Sequence, residues 1–211
     1  MRRLPVYLLL DVSGSMMGEK IESVKTGIQT VQSALRRDPQ AMESAFVSVI
    51  TFSNDVQQVV PLTEIAAFNP PSISAGGGTS LGGALKMVTD CAEREVVKST
   101  PNQKGDWKPM VFIMTDGVPT DNPHPGIQRF KEYKWGPVVA CAAGAGEAVQ
   151  KLLQNITETV VSLDTADSNT ISALFKWVSA SIATTSKKVN ETGSIDSELP
   201  PPPPEITLVK P

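Results

Sequence analysis

Asp11-Val12-Ser13-Gly14-Ser15 carries three oxygen-bearing side chains at alternate positions. It follows a short apolar run, 5–10, and precedes a helical pattern. A loop that curls through Gly14 can aim Asp11, Ser13 and Ser15 at one point, and the missing Cβ there lets a ligand come close. Two more oxygen donors stand at similar junctions. Thr79 follows Gly76-Gly77-Gly78 and opens a helical pattern, and Asp116 ends an apolar run in Thr115-Asp116-Gly117. Oxygen-only donors are hard ligands, which favours Mg²⁺, with Mn²⁺ or Ca²⁺ as alternatives, over Zn²⁺ or Cu. Taken singly, each piece has an ordinary use. Thr79 or Ser80 can cap a helix, Asp116-Gly117 can be a turn, and Ser13 and Ser15 can be loop hydroxyls. The five together, in this order and at strand ends, indicate a metal centre.

Composition leaves little else to do chemistry. The single histidine, His124, excludes a site of two or more His ligands. It lies in Asn122-Pro123-His124-Pro125-Gly126, a loop by composition. Cys91 and Cys141 sit fifty residues apart in apolar runs, which suits reduced core residues in a cytoplasmic protein and not a CxxC motif or a disulfide framework. The net charge is -3 and no Lys/Arg run exceeds two, so nucleic acid and acidic membrane surfaces are poor partners. No stretch approaches the ~18 apolar residues of a membrane span. The apolar run after Arg2-Arg3 is too short for a signal peptide and is followed by no small-residue cleavage site.

Short apolar runs alternate with helical periodicity along the chain. Strands are expected at 5–10, 45–52, 56–62, 110–114, 138–143 and 159–163. Helices are expected at 20–36, around 81–96, around Ile127 and Phe130, around 149–156, and from a cap near Asn169-Thr170 through Ile182. Ser53-Asn54-Asp55 reads as a hairpin turn, which makes the third strand an antiparallel edge. The rest implies an α/β doubly wound, mostly parallel sheet with helices on both faces. Its switch point, where ligands bind at strand carboxyl ends, falls between the first and fourth strands, so Asp11 and Asp116 share one crevice. Two acids placed together repel unless a cation sits between them. The polar and Pro-rich residues 187–211 read as a tail outside a domain of 1–186. The tail is either solvated, with polyproline II at 200–204, or docked, with Ile206-Thr207-Leu208-Val209 added to a sheet edge.

The set Asp-x-Ser-x-Ser, a later Thr after glycines and a later Asp-Gly resembles the metal-ion-dependent adhesion site of von Willebrand factor A (VWA) domains. The resemblance implies a Rossmann-like sheet of six strands in order 3-2-1-4-5-6, with strand 3 antiparallel. It also implies that Ser13 and Ser15 bind the metal directly and Thr79 directly or through water. Asp11 and Asp116 would act mostly through water and hydrogen bonds to the ligands. Several further stretches, including Gly77-Gly78-Thr79-Ser80-Leu81, Gly105-Asp106-Trp107-Lys108-Pro109 and Thr115-Asp116-Gly117-Val118-Pro119-Thr120-Asp121, are similar to the TerY-type VWA proteins of bacterial tellurium-resistance and stress-response systems. That likeness implies a cytoplasmic protein, often encoded beside a protein kinase and a phosphatase, which are the partners it suggests.

Neutral hydroxyl ligands leave a bound divalent ion much of its charge and keep exchangeable water on it. Such a site captures an Asp or Glu of a protein partner and does not activate water, so a binding module is expected and not an enzyme. Thr120 and Asp121 would line the rim, or else form a turn with Val118-Pro119. Trp177 falls beside the apolar stripe of the last helix, as a core residue does. One alternative is a metal-free interaction scaffold. Another is a haloacid-dehalogenase-like phosphatase with Asp11 as nucleophile, but Ser13 and Ser15 replace the Asp and Thr of that motif. Gly144-Ala145-Gly146 imitates a dinucleotide fingerprint, but Val149 stands where a small residue is needed.

Overall fold

The computed structural model describes residues 2–192, 195 and 199–210. Its sheet has seven strands in the order β3-β2-β1-β4-β5-β6-β7. The first six are β1 (Leu4–Asp11), β2 (Ala45–Phe52), β3 (Val56–Glu64), β4 (Met110–Thr115), β5 (Val138–Ala143) and β6 (Thr159–Leu163). β1, β2, β4, β5 and β6 run parallel, and β3 pairs antiparallel with β2. The expected order and the antiparallel third strand are both present, with one strand added.

β1 is buried along its whole length, as a central parallel strand with helices on both faces must be. Its alternate residues serve opposite layers. Leu4, Val6, Leu8 and Leu10 pack toward α1 (Glu19–Arg37) and α6 (Ser168–Thr192), and Tyr7 and Leu9 toward α3 (Leu81–Glu95) and α4 (His124–Lys131). α5 (Glu147–Gln154) joins the second layer through Val149 and Leu153. α1 and α6 approach closely because Gly27 has no side chain; a Cβ there would overlap the Phe175 ring. The expected loop at His124–Gly126 is instead the first turn of α4, with Pro125 where a missing N–H costs nothing. A short helix absent from the sequence-based expectation, α2 (Pro39–Ser44), is capped by Asp38, whose carboxylate accepts from the Ala41 N–H at 2.8 Å. α6 starts two to three residues earlier than expected, with Asp167 accepting from the N–H groups of Asn169 (2.9 Å) and Thr170 (3.0 Å).

Of the two forms expected for the tail, the described residues 199–210 take the docked one, although Thr207 and Leu208 keep exposed side chains. α6 runs past residue 187 to Thr192. Further on, β7 (Thr207–Leu208) pairs antiparallel with β6. The Val209 N–H donates to the Val160 carbonyl at 2.9 Å, Ile206 is buried, and Trp177 Nε1 donates to the Pro200 carbonyl at 2.8 Å. The physical reason is an edge. Without β7, β6 would present a row of unpaired backbone groups.

Candidate metal centre

β1 and β4 are adjacent, with Leu10 opposite Met114, so their carboxyl ends open side by side. Asp11 closes β1 and is 1% exposed. Its carboxylate organises the loop that follows. Oδ1 accepts from the Ser13 N–H at 2.8 Å, and Oδ2 accepts from Thr115 Oγ1 at 2.6 Å. Burial pushes the Asp11 carboxyl up; the Ser13 and Thr115 hydrogen bonds oppose this, and the nearby Asp116 charge adds to the rise. The chain then turns through a single 3-10 turn, Gly14–Met16, which brings Ser13 Oγ and Ser15 Oγ to 3.0 Å. Ser15 Oγ donates to Asp116 Oδ1 at 2.5 Å. Asp116 Oδ2 accepts from Lys20 Nζ at 2.6 Å, and the Asp116 side chain is only 1% exposed.

Thr79 arrives from the glycine loop, which lies across the β1 loop. The Gly14 N–H donates to the Gly77 carbonyl (2.9 Å), and the Gly76 N–H to the Val12 carbonyl (2.8 Å). Gly77 holds φ +82°, a left-handed conformation that glycine adopts freely. Asn54 secures the loop by accepting from the Gly78 N–H at 2.7 Å. A Cβ added at Gly117 would lie 3.7 Å from Thr79 Oγ1 and 3.9 Å from Ser15 Oγ, so both hydroxyls face the same space beside Asp116. The structure therefore brings all five sequence-derived residues, Asp11, Ser13, Ser15, Thr79 and Asp116, to one crevice.

Thr120 and Asp121 do more than line a rim. Thr120 pins Thr79 from both sides: its N–H donates to the Thr79 carbonyl (2.9 Å) and its Oγ1 accepts from the Thr79 N–H (2.9 Å). Asp121 accepts from the N–H groups of Gly82 (3.2 Å) and Gly83 (2.9 Å), and so caps α3 directly after Thr79. Lys20, Thr115 and Asn54 were missed by sequence reasoning. Lys20 sits on the polar side of α1, where a charged residue gives no signal, and the Asn54 and Thr115 contacts cross 24 and 104 residues of chain.

The donors suit a hard divalent ion. They are two carboxylates and three hydroxyls. Among the described residues no group of three His, Cys, Asp or Glu side chains gathers to offer another metal site. The 3.0 Å separation of the Ser13 and Ser15 oxygens is also the spacing of neighbouring ligands around an octahedral ion with bonds of about 2.1 Å, which is about 3.0 Å.

The sequence profile of the von Willebrand factor type A domain matches residues 6–177. The chain belongs to this VWA family. The fold of this VWA domain is similar to that of several solved structures. Proximal thread matrix protein 1 (PTMP1) from the mussel byssus aligns over 86% of this chain and 48% of its own, at 22% identity and a TM-score of 0.61. PTMP1 has also been solved with a zinc-occupied metal-ion-dependent adhesion site. The pilus adhesin SpaC of Lactobacillus rhamnosus GG aligns over 87% of this chain and 30% of its own, at 17% identity and a TM-score of 0.70. The ArnB paralog VWA2 of Sulfolobus acidocaldarius aligns over 84% and 45%, at 18% identity and a TM-score of 0.58. The chain thus spans about half, or less, of the length of these proteins.

Proposed function

We propose that this VWA domain is a metal-dependent protein-interaction module whose Asp11, Ser13, Ser15, Thr79 and Asp116 hold a divalent cation, Mg²⁺ by preference. The convergence of Ser13, Ser15 and Thr79 hydroxyls beside the buried Asp116 carboxylate carries this reading. When bound there, a divalent ion supplies a positive centre with an exchangeable position that an Asp or Glu of a protein partner can fill. The protein's own groups do the preparing. Asp11 fixes the loop through Ser13 and Thr115, Thr120 fixes Thr79, and Asp116 orients the Ser15 hydroxyl.

The surroundings support docking of a partner. Among the described residues, Met17 and Val118 are the most exposed of the large apolar side chains, at 66% and 67%. Each stands two residues beyond a site residue, Ser15 and Asp116, within about 7 Å of extended chain. An acid flanked by apolar side chains would find both a charge and a dry contact on this face. Both carboxylates of the crevice are already engaged, Asp11 by Ser13 and Thr115 and Asp116 by Ser15 and Lys20, which favours binding over acid–base chemistry.

TerY-type stress signalling in a bacterial cytoplasm, with a kinase and a phosphatase of the same system as partners, is the setting we propose from the sequence motifs. Among the described residues no helix is long and apolar enough to cross a membrane. Calorimetry with Mg²⁺, Mn²⁺ and Zn²⁺ tests the site. Wild type should bind Mg²⁺, and Asp11→Ala and Thr79→Ala should keep their circular dichroism spectra while weakening binding by about 100-fold. A wild type that binds no divalent ion, or an Asp11→Ala protein that binds as wild type does, would overturn the assignment.

A further inference from the structure

We propose that Lys20 is a resident cation that competes with the divalent ion for Asp116 and so sets the metal concentration at which the site fills. This rests on the metal site proposed above and adds its regulation. Asp116 has two oxygens and both are engaged. Oδ1 accepts the Ser15 hydroxyl at 2.5 Å and Oδ2 the Lys20 ammonium at 2.6 Å. The Asp116 side chain is 1% exposed, where an unpaired carboxylate is costly, so some cation is needed beside it.

Lys20 meets that need in a replaceable way. It is 32% exposed and lies in the first turn of α1, so its ammonium can swing to water while its stem stays on the helix. It makes one contact as a point charge, without the forked geometry that would hold a guanidinium in register. A divalent ion beside Ser13, Ser15 and Thr79 needs the negative charge of Asp116. It is repelled by a positive charge already bound to the same carboxylate, and at separations of a few ångströms that repulsion is strong even at a partly solvated site. Loading with metal is therefore an exchange of cations on Asp116. A weakly held ammonium raises the metal concentration needed without closing the crevice.

The test uses the full chain at fixed ionic strength, with Mg²⁺ as the probe, on wild type, Lys20→Gln and Lys20→Arg. Lys20→Gln should bind Mg²⁺ at least about tenfold more tightly by calorimetry. It should melt at a lower temperature than wild type in chelator, and gain more on adding Mg²⁺, because a ligand that binds only the folded state stabilises it by mass action. Lys20→Arg, which keeps the charge, should bind no more tightly than wild type. Mass-spectrometric acetylation of wild type supplies a readout that needs no variant: modification of Lys20 should rise as Mg²⁺ saturates the site. Equal or weaker Mg²⁺ binding by Lys20→Gln, or Lys20 acetylation indifferent to Mg²⁺, overturns the proposal while leaving the metal site standing. Absence of binding in both proteins overturns the site and the exchange together.

Discussion

A buried carboxylate lies on either side of β4, Asp106 before it and Asp116 after it, and each is paired with a cation from the first twenty residues. The two pairs are built differently. Asp106, 5% exposed, is gripped by Arg3 through Nε–Oδ1 at 2.9 Å and Nη2–Oδ2 at 2.6 Å, and also accepts the Val97 N–H at 2.8 Å. Arg3 continues to the Glu95 carbonyl at 2.8 Å. Next to it, the Arg2 guanidinium lies 3.5 Å from the Trp107 ring centroid. At the amino end of the sheet a planar fork thus ties β1 to the chain entering β4 and to the end of α3. Asp116 has one ammonium and one hydroxyl, both on side chains that open toward the crevice. Equal formal charges therefore serve opposite ends. The forked pair is a fixed joint, and the single-point pair is an exchangeable one.

The largest test of this contrast is Asp106→Ala. It leaves a half-buried Arg3 with only the Glu95 carbonyl to donate to and the Val97 N–H without its acceptor, and should cost about 3 kcal/mol by denaturant unfolding, with Mg²⁺ affinity of the surviving folded protein unchanged. If Mg²⁺ affinity falls with it, the two ends are not independent. Arg3→Lys keeps the charge and loses the fork. It should cost about 1 kcal/mol, whereas Lys20→Arg should change stability by less than about 0.5 kcal/mol, and equal losses would erase the distinction. A further small effect belongs to a buried group away from both ends. Burial alone pushes the Cys141 thiol on β5 up to about 12. The unfolded thiol ionises near pH 8.5 while the native one stays protonated. Its contribution is therefore full below that pH and is lost as pH rises toward the native value. By pH 9 wild type should lose less than about 1 kcal/mol more than Cys141→Ala, measured as unfolding free energy against pH.

The strands at 45–52, 138–143 and 159–163 coincide with their expected bounds, because buried β-rich runs ended by turn residues carry their limits locally. The five donors were legible for a related reason. Asp11, Ser13 and Ser15 are spaced within one loop, and Thr79 and Asp116 are marked by the glycines beside them. What positions those donors was not legible. Thr120 meets Thr79 across 41 residues and Asp121 meets Gly82 across 39, and no local pattern announces either pairing. Lys20 looks like any solvated lysine on an amphipathic helix. α2 is a different case, since Asp38-Pro39 is a local start signal, and its six residues were too few for a period to show. At the carboxyl end the prolines suggest solvation, while 206–209 has the β-prone composition that takes the edge of β6.

That last pairing has a consequence for synthesis. β6 is complete at residue 163, but the strand that covers it is not made until residue 208. At translation rates of about 5–20 residues per second, the newborn chain holds an open ribbon for some seconds. Throughout that interval its safety from its neighbours on the polysome depends on how slowly bare edges meet.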